Sequence, residues 1–137
     1  MADIVVTAAN VLASGQASKE TGVAGVAVTA GQPVYKETGT DLFKLTDCDS
    51  ATVEARNFYG MTLNAAAVGQ PVSVAKSDPD FTPGATLVKG SRYYASGTAG
   101  GIAPEADLAS GDHVVLIGVA SSTTKLVMKP LNSGVVI

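Results

Sequence analysis

The chain states one pattern twice, and that repetition limits the folds open to it. Ala27–Asp47 reads AVTAGQPVYKETGTDLFKLTD, and Thr86–Asp107 reads TLVKGSRYYASGTAGGIAPEAD. Gly31 answers to Gly90, Tyr35 to Tyr94 and Thr38 to Gly97, and one extra residue then brings Asp47 level with Asp107. Each aspartate is followed by a polar stretch and a glycine-bearing strand, FYGMTLNAA at Phe58–Ala66 and LIGVASS at Leu116–Ser122. A third, weaker echo lies between them, where Val68–Val74 (VGQPVSV) matches Ala30–Val34 (AGQPV). Repeated short-strand units build a scaffold, because each half can cover the apolar face of the other.

The pattern predicts an all-β, compact barrel or sandwich of short strands with an internal duplication. Residues 1–25 are expected to form an N-terminal arm and first strand, and 26–137 a single β domain with repeat halves at about 26–76 and 85–130. Strands are predicted near Ile4–Thr7, Val26–Thr29, Pro33–Glu37, Leu42–Thr46, Phe58–Asn64, Pro71–Lys76, Thr86–Val88, Tyr93–Ser96, His113–Ala120 and Lys125–Lys129. In each, β-branched and aromatic residues run between Gly, Pro, Asp and Ser clusters. Glu37–Thr40, Ser96–Gly101 and Asn132–Gly134 read as turns in which glycine supplies positive φ, leaving Val135–Ile137 as an apolar tail. Helical signal is confined to single turns at Asp49–Arg56 and Pro104–Leu108. Pro33 and Pro71, each after Gly-Gln, suit the first residue of a strand, since proline lacks a ladder donor. Ser77–Gly84 (SDPDFTPG) reads as the loop at the seam between the halves, and Asn10–Gly25 as an arm that orders on a partner.

Composition narrows the class. Apolar residues make up 46% of the 137 residues and charged residues only 15%, with no tryptophan. A chain this long can bury a real core. Small apolar side chains at low charge suit thin β layers and surfaces that stay buried against a neighbour. The net charge of −3 and the scattered lysines (19, 36, 44, 76, 89, 125 and 129) offer no basic footprint, so nucleic acid is not an expected partner. No apolar run approaches the roughly 18 residues that span a bilayer, so no membrane partner is expected either. The start, MADIVVTAANVLASG, lacks the positive n-region of a signal peptide, and cytoplasmic synthesis is the expectation.

The chemistry-bearing residues are few. Cys48 is the one cysteine and His113 the one histidine, so neither a disulfide within the chain nor a Cys/His metal cluster can be built. A Cys48–His113 dyad oriented by Asp112 fails on charge. The acids of TDCDSA raise the thiol pKa and suppress the thiolate, and His113 reads instead as a surface residue opening the strand HVVLIG. Asp41, Asp47, Asp49, Glu54, Asp78 and Asp80 lack the spacing of a calcium loop and read as turn chemistry, with Asp bonding nearby amides. Gly97–Gly101 lacks the Lys-Ser/Thr that completes a phosphate loop. The aromatics Tyr35, Phe43, Phe58, Tyr59, Tyr93 and Tyr94 lie on strands as core or interface anchors. The chain reads as a non-enzyme with no catalytic, cofactor-binding or metal-ligating residues and no cofactor.

Beyond these readings, the phrasing resembles a known family. GVAGVAVTAGQPVYK at Gly22–Lys36, DLFKLTD at Asp41–Asp47, FYGMTLNAAAVGQPVSV at Phe58–Val74 and GSRYYASGTAGGIAPEADLASGDHVVLIGVASSTTKLVM at Gly90–Met128 are similar to the small capsid decoration, or cement, proteins of tailed bacteriophages. That resemblance implies a β-tulip-like all-β fold on the outside of the virion capsid. The partner it implies is the major capsid protein, and the expected state is a homo-oligomer, a trimer. It carries over no catalytic and no contact residues. A tail- or fibre-associated structural module stands as the alternative, together with a host-surface carbohydrate-binding module, which would need exposed aromatics on one sheet face.

Overall fold

The computed structural model describes residues Asp3–Ile137 and is all-β. Its ten strands are β1 (Val11–Leu12), β2 (Ser18–Ala24), β3 (Pro33–Lys36), β4 (Leu42–Leu45), β5 (Gly60–Thr62), β6 (Pro71–Pro83), β7 (Arg92–Ala95), β8 (Ile102–Pro104), β9 (His113–Ala120) and β10 (Leu126–Val136). The helical content is three single 3-10 turns, at Ala8–Asn10, Val53–Arg56 and Glu105–Asp107. The last two fall inside the two stretches whose sequence signalled a turn.

Strand pairing runs β2-β4-β3-β5-β6-β10-β9-β7-β8, and β6 also pairs with β2. That extra pairing closes β2, β4, β3, β5 and β6 into a five-stranded ring in which only β2–β4 is parallel. A ring this small leaves a narrow interior. It is filled by Ala24, Val28, Val34, Phe43, Ala66, Val72 and Val74. Phe43 fits because Gly22 stands against its ring, where a Cβ would overlap it. The Ala/Val bias of the composition follows from this geometry.

From β4 onward the order reads β4-β3-β5-β6 and then β10-β9-β7-β8, so the two halves share one connectivity about the β6–β10 pair. β3, β6, β7 and β9 are each entered the same way. A glycine at φ between 85° and 96° (Gly31, Gly69, Gly90, Gly111) precedes one residue and then the strand. Only glycine holds that conformation without steric cost. The second core lies between the ring and the β10-β9-β7-β8 sheet. It is built from Phe58, Met61, Phe81, Tyr93, Ile102, Ile117, Leu126 and Met128, among others.

Several expectations are corrected. Ser77–Gly84 is not a seam loop: β6 continues through Asp78 and Pro79 to Pro83, pairing β10 at Asp78 and Phe81 and β1 at Thr82 and Pro83. Ile4–Thr7 and Thr86–Val88 are not strands, and Val26–Thr29 contributes a single bridge, Val28 to Ala66. The Glu37–Thr40 turn is shaped by Asp41 at φ 59°, not by Gly39. Asn132–Gly134 does not end the sheet, because β10 passes through it with one register shift before it, between Met128 and Leu131, and one across it, between Asn132 and Val136.

The N-terminal stretch read as an arm is fastened to the body within the same chain. β2 pairs with β6 from Ser18↔Ser77 to Val23↔Pro71. Ser14 donates from its amide and hydroxyl to the buried Asp78 carboxylate. Hydrogen bonds to a charged group contribute about 1.5–3 kcal/mol each. Deleting residues 2–20 is therefore expected to cost at least about 3 kcal/mol and to abolish the cooperative thermal transition followed by circular dichroism. An unchanged melt would restore the arm reading.

Candidate functional site

The two halves meet where the segment after β4 crosses the start of β9. Cys48 donates its amide to Ser96 O (3.1 Å) and accepts from His113 N (2.9 Å). The next links run from Gly111 N to Ile137 O and from Ile137 N to Asp112 O, which hold the end of β10 on the same junction. Backbone pairing thus brings the chain's one cysteine and one histidine together. The thiol itself is fully buried, and the His113 ring directs Nδ1 at the Cys48 carbonyl oxygen (3.0 Å), not at sulfur. Burial and the Asp112, Asp49 and Asp47 charges push the Cys48 thiol up to about 12. A thiol held neutral is a poor nucleophile. The geometry agrees with the charge argument made from sequence, with desolvation as the larger cause.

Asp47, Asp49 and Asp112 gather around this junction. Asp47 Oδ1 accepts from the Asp49 amide, and Asp112 Oδ2 accepts from the Ala109 amide, the local turn bonding expected of these residues. Asp49 and Asp112 both flank Gly97, whose missing Cβ makes room for the two carboxylates. Asp41 and Glu54 stay apart from the group: Asp41 is exposed in the β3–β4 turn, and Glu54 accepts from Thr38 N. Asp78 is spent on Ser14 and on the Asp80 amide, and Asp80 is exposed. Among the described residues, no group of three or more His, Cys, Asp or Glu side chains is placed to hold a metal ion.

Burial, the Asp49 hydrogen bond and the charges of Asp49 and Asp112 raise Asp47 to about 6. A carboxyl raised in the folded state gives stability that is full below its unfolded value near 3.8 and is lost as pH rises through 6. Lowering the pH from 7 to 5 is therefore expected to stabilise the chain by about 1 kcal/mol, after allowance for solvent screening. Urea midpoints at the two pH values measure this, and Asp47→Asn should flatten the difference. Asp78 works in the opposite sense. Its burial would raise it, but the bonds from Ser14 and Asp80 hold it below the ordinary carboxylate range, so its contribution is lost only at still lower pH.

A second cluster was invisible in the sequence, because its members come from three separate strands and the start of a fourth. Glu20 on β2 accepts from the Tyr59 hydroxyl (2.7 Å) and pairs with Lys36 (2.9 Å) and Lys76 (3.6 Å). Both lysines also approach the Tyr59 ring, at 5.5 and 5.8 Å. The Tyr59 and Lys36 hydrogen bonds hold Glu20 below its usual range. This network ties β2, β3 and β6 together around Tyr59, with two ammonium groups sharing one carboxylate.

Aliphatic side chains are also exposed. The large exposed apolar residues are valine, leucine and isoleucine, with Val5 at 85% and Val53 and Val68 at 68% exposure. Leu131, Val135, Val136 and Ile137 lie exposed along and just beyond the second half of β10. The buried aromatics (Tyr35, Phe43, Phe58, Phe81, Tyr93, Tyr94) are core groups, and Tyr59 is half-buried. An open groove of about 420 Å³ runs past Val5, Thr7, Asn10, Thr82, Thr86 and Thr124, with no charged side chain among them. No helix among the described residues is long and apolar enough to cross a membrane.

Fold and surface together define an all-β chain in which Thr46, Asp78 and Asn132 spend their side-chain polar atoms on holding the backbone in place. No protein-family model matches the chain, and no curated protein matches it.

Proposed function

We propose that this chain is a non-enzymatic structural protein of a tailed-bacteriophage particle that binds the outside of the assembled capsid and cements it, acting as a homotrimer. The observation that carries the reading is the resemblance of Gly22–Met128 to capsid decoration proteins in glycine-punctuated strand phrasing. Two physical features support it. The exposed large apolar side chains are aliphatic, with Leu131, Val135, Val136 and Ile137 grouped along the end of β10, and such side chains suit an interface core. Among the described residues no buried side-chain polar atom lacks a hydrogen-bond partner, so the body is pre-organised for docking.

The proposed partner is the major capsid protein in its assembled lattice. A protein that binds the lattice and not the free subunit shifts the equilibrium toward the intact shell, by an amount set by its concentration relative to its dissociation constant. Many copies then multiply a modest interface energy. The test is co-sedimentation of the purified chain with emptied heads of its phage and, separately, with dissociated capsid subunits. Saturable binding to heads alone, with a higher temperature of head disruption, is the expected result. Equal binding to free subunits, or none to heads, would sink the proposal.

A further inference from the structure

We propose that the cleft between the Val53–Arg56 turn and the start of β9 is a binding site for a carboxylate. The cleft has a volume of about 170 Å³, and Val53, Arg56, Asn57, His113 and Val115 line it. Lys36 and Lys76 pair with Glu20, Lys44 with Glu37, and Arg92 with Glu105. Lys19, Arg56, Lys89, Lys125 and Lys129 have no ion-paired acid among the described residues, and of these Arg56 lines this cleft. Its Nε donates to the Ser50 carbonyl (2.7 Å), and among the described residues its guanidinium has no carboxylate partner. The side chain is half-buried, its plane is set by the Nε bond, and both terminal nitrogens retain their donors. A guanidinium fork presented in this way matches the two oxygens of a carboxylate.

The neighbouring groups complete the site. The His113 ring spends Nδ1 on a carbonyl oxygen, which can only accept, so Nδ1 carries the proton, and Nε2, an acceptor in the neutral ring, offers a carboxylate no donor and serves as wall. The Asn57 side-chain amide has no partner among the described residues. Asn132, also at the cleft, is consumed by Phe58 N–H and C=O and serves as wall. Val53 and Val115 supply apolar surface for the carbon that carries the carboxylate. The volume is well below that of a drug-sized pocket and suits a carboxylate with one or two carbons. Asp112, directly before His113, and Asp47 and Asp49 beside it oppose any anion at the cleft, and oppose a dianionic phosphate more than a singly charged carboxylate. Glu54, on the same turn as Arg56, is engaged with Thr38 N.

The test uses the free chain and does not depend on the particle reading. Sodium acetate is titrated into 15N-labelled protein, with sodium chloride at equal ionic strength as control, and the Arg56 Nε–H, Asn57 and His113 signals are followed. Saturable shifts confined to these residues are expected, with affinity at least about tenfold weaker in Arg56→Ala and an intermediate loss in Arg56→Lys. A blocked Val-Asp-Val tripeptide separates the two sources of the group. Binding tighter than acetate marks a carboxylate presented by a protein strand, and equal binding marks a small free acid. Non-saturating shifts shared with chloride, shifts unchanged in Arg56→Ala, or tighter binding of inorganic phosphate would overturn the assignment.

Discussion

Gly118→Ala is expected to cost about 3 kcal/mol or more of unfolding free energy, at or beyond the upper end of ordinary overpacking. Gly118 sits on β9 directly opposite Met128 of β10, and a methyl group there would overlap the Val127 carbonyl oxygen and crowd the Met128 Cα. Backbone cannot swing aside as the end of a long side chain can, so the β9–β10 ladder must part to admit the methyl. Gly60 holds the corresponding place in the first half. Its Cβ would lie 2.9 Å from the Ala75 carbonyl oxygen, across the β5–β6 pair. Gly60→Ala should therefore be destabilising but milder. Gly39, with open space around it and no positive φ, is the control, and Gly39→Ala should stay within about 0.5 kcal/mol. Urea denaturation of the three variants measures the series. A Gly118→Ala protein as stable as Gly39→Ala would remove the argument that these glycines exist for close strand approach.

Phe81→Ala is expected to lose about 3–5 kcal/mol, the range for emptying a buried aromatic site. Phe81 is fully buried on β6, pairs across the ladder with Leu126, and belongs to the core between the ring and the second sheet. In the sequence it stands in SDPDFTPG, where two prolines and two aspartates announce a loop. An exposed loop phenylalanine would cost about 0.5 kcal/mol or less to truncate. The variant therefore separates the two readings of this segment by several kcal/mol, and a near-neutral result would return Ser77–Gly84 to a loop.

The legible strands were those whose apolar residues follow a turn glycine. β9 matches its expected bounds, and β3, β4 and β7 differ by a residue or so at an end. β2, which was missed, and β6 and β10, which were cut short, hide their pattern for identifiable reasons. β2 (SKETGVA) looks polar because most of it faces outward and Gly22 yields its place to the Phe43 ring. β6 looks broken because Asp78 turns inward to accept from Ser14 and from the Asp80 amide, while Pro79 and Asp80 are exposed on the strand. β10 looks finished at Lys129 because Pro130 and Gly134 sit at register shifts that a strand can absorb. At the site, the proximity of Cys48 to acids was readable in TDCDSA. The approach of Asp112 and the orphan state of Arg56 were not, since both depend on which strands the topology brings side by side.

The central claim is that this chain is a regular component of a capsid exterior. Quantitative mass spectrometry of purified particles tests it most directly, by counting copies of this chain against the major capsid protein. The account predicts a copy number comparable to that of the capsid subunit. A handful of copies would place the chain on a tail or fibre, and its absence from purified particles would contradict the account outright.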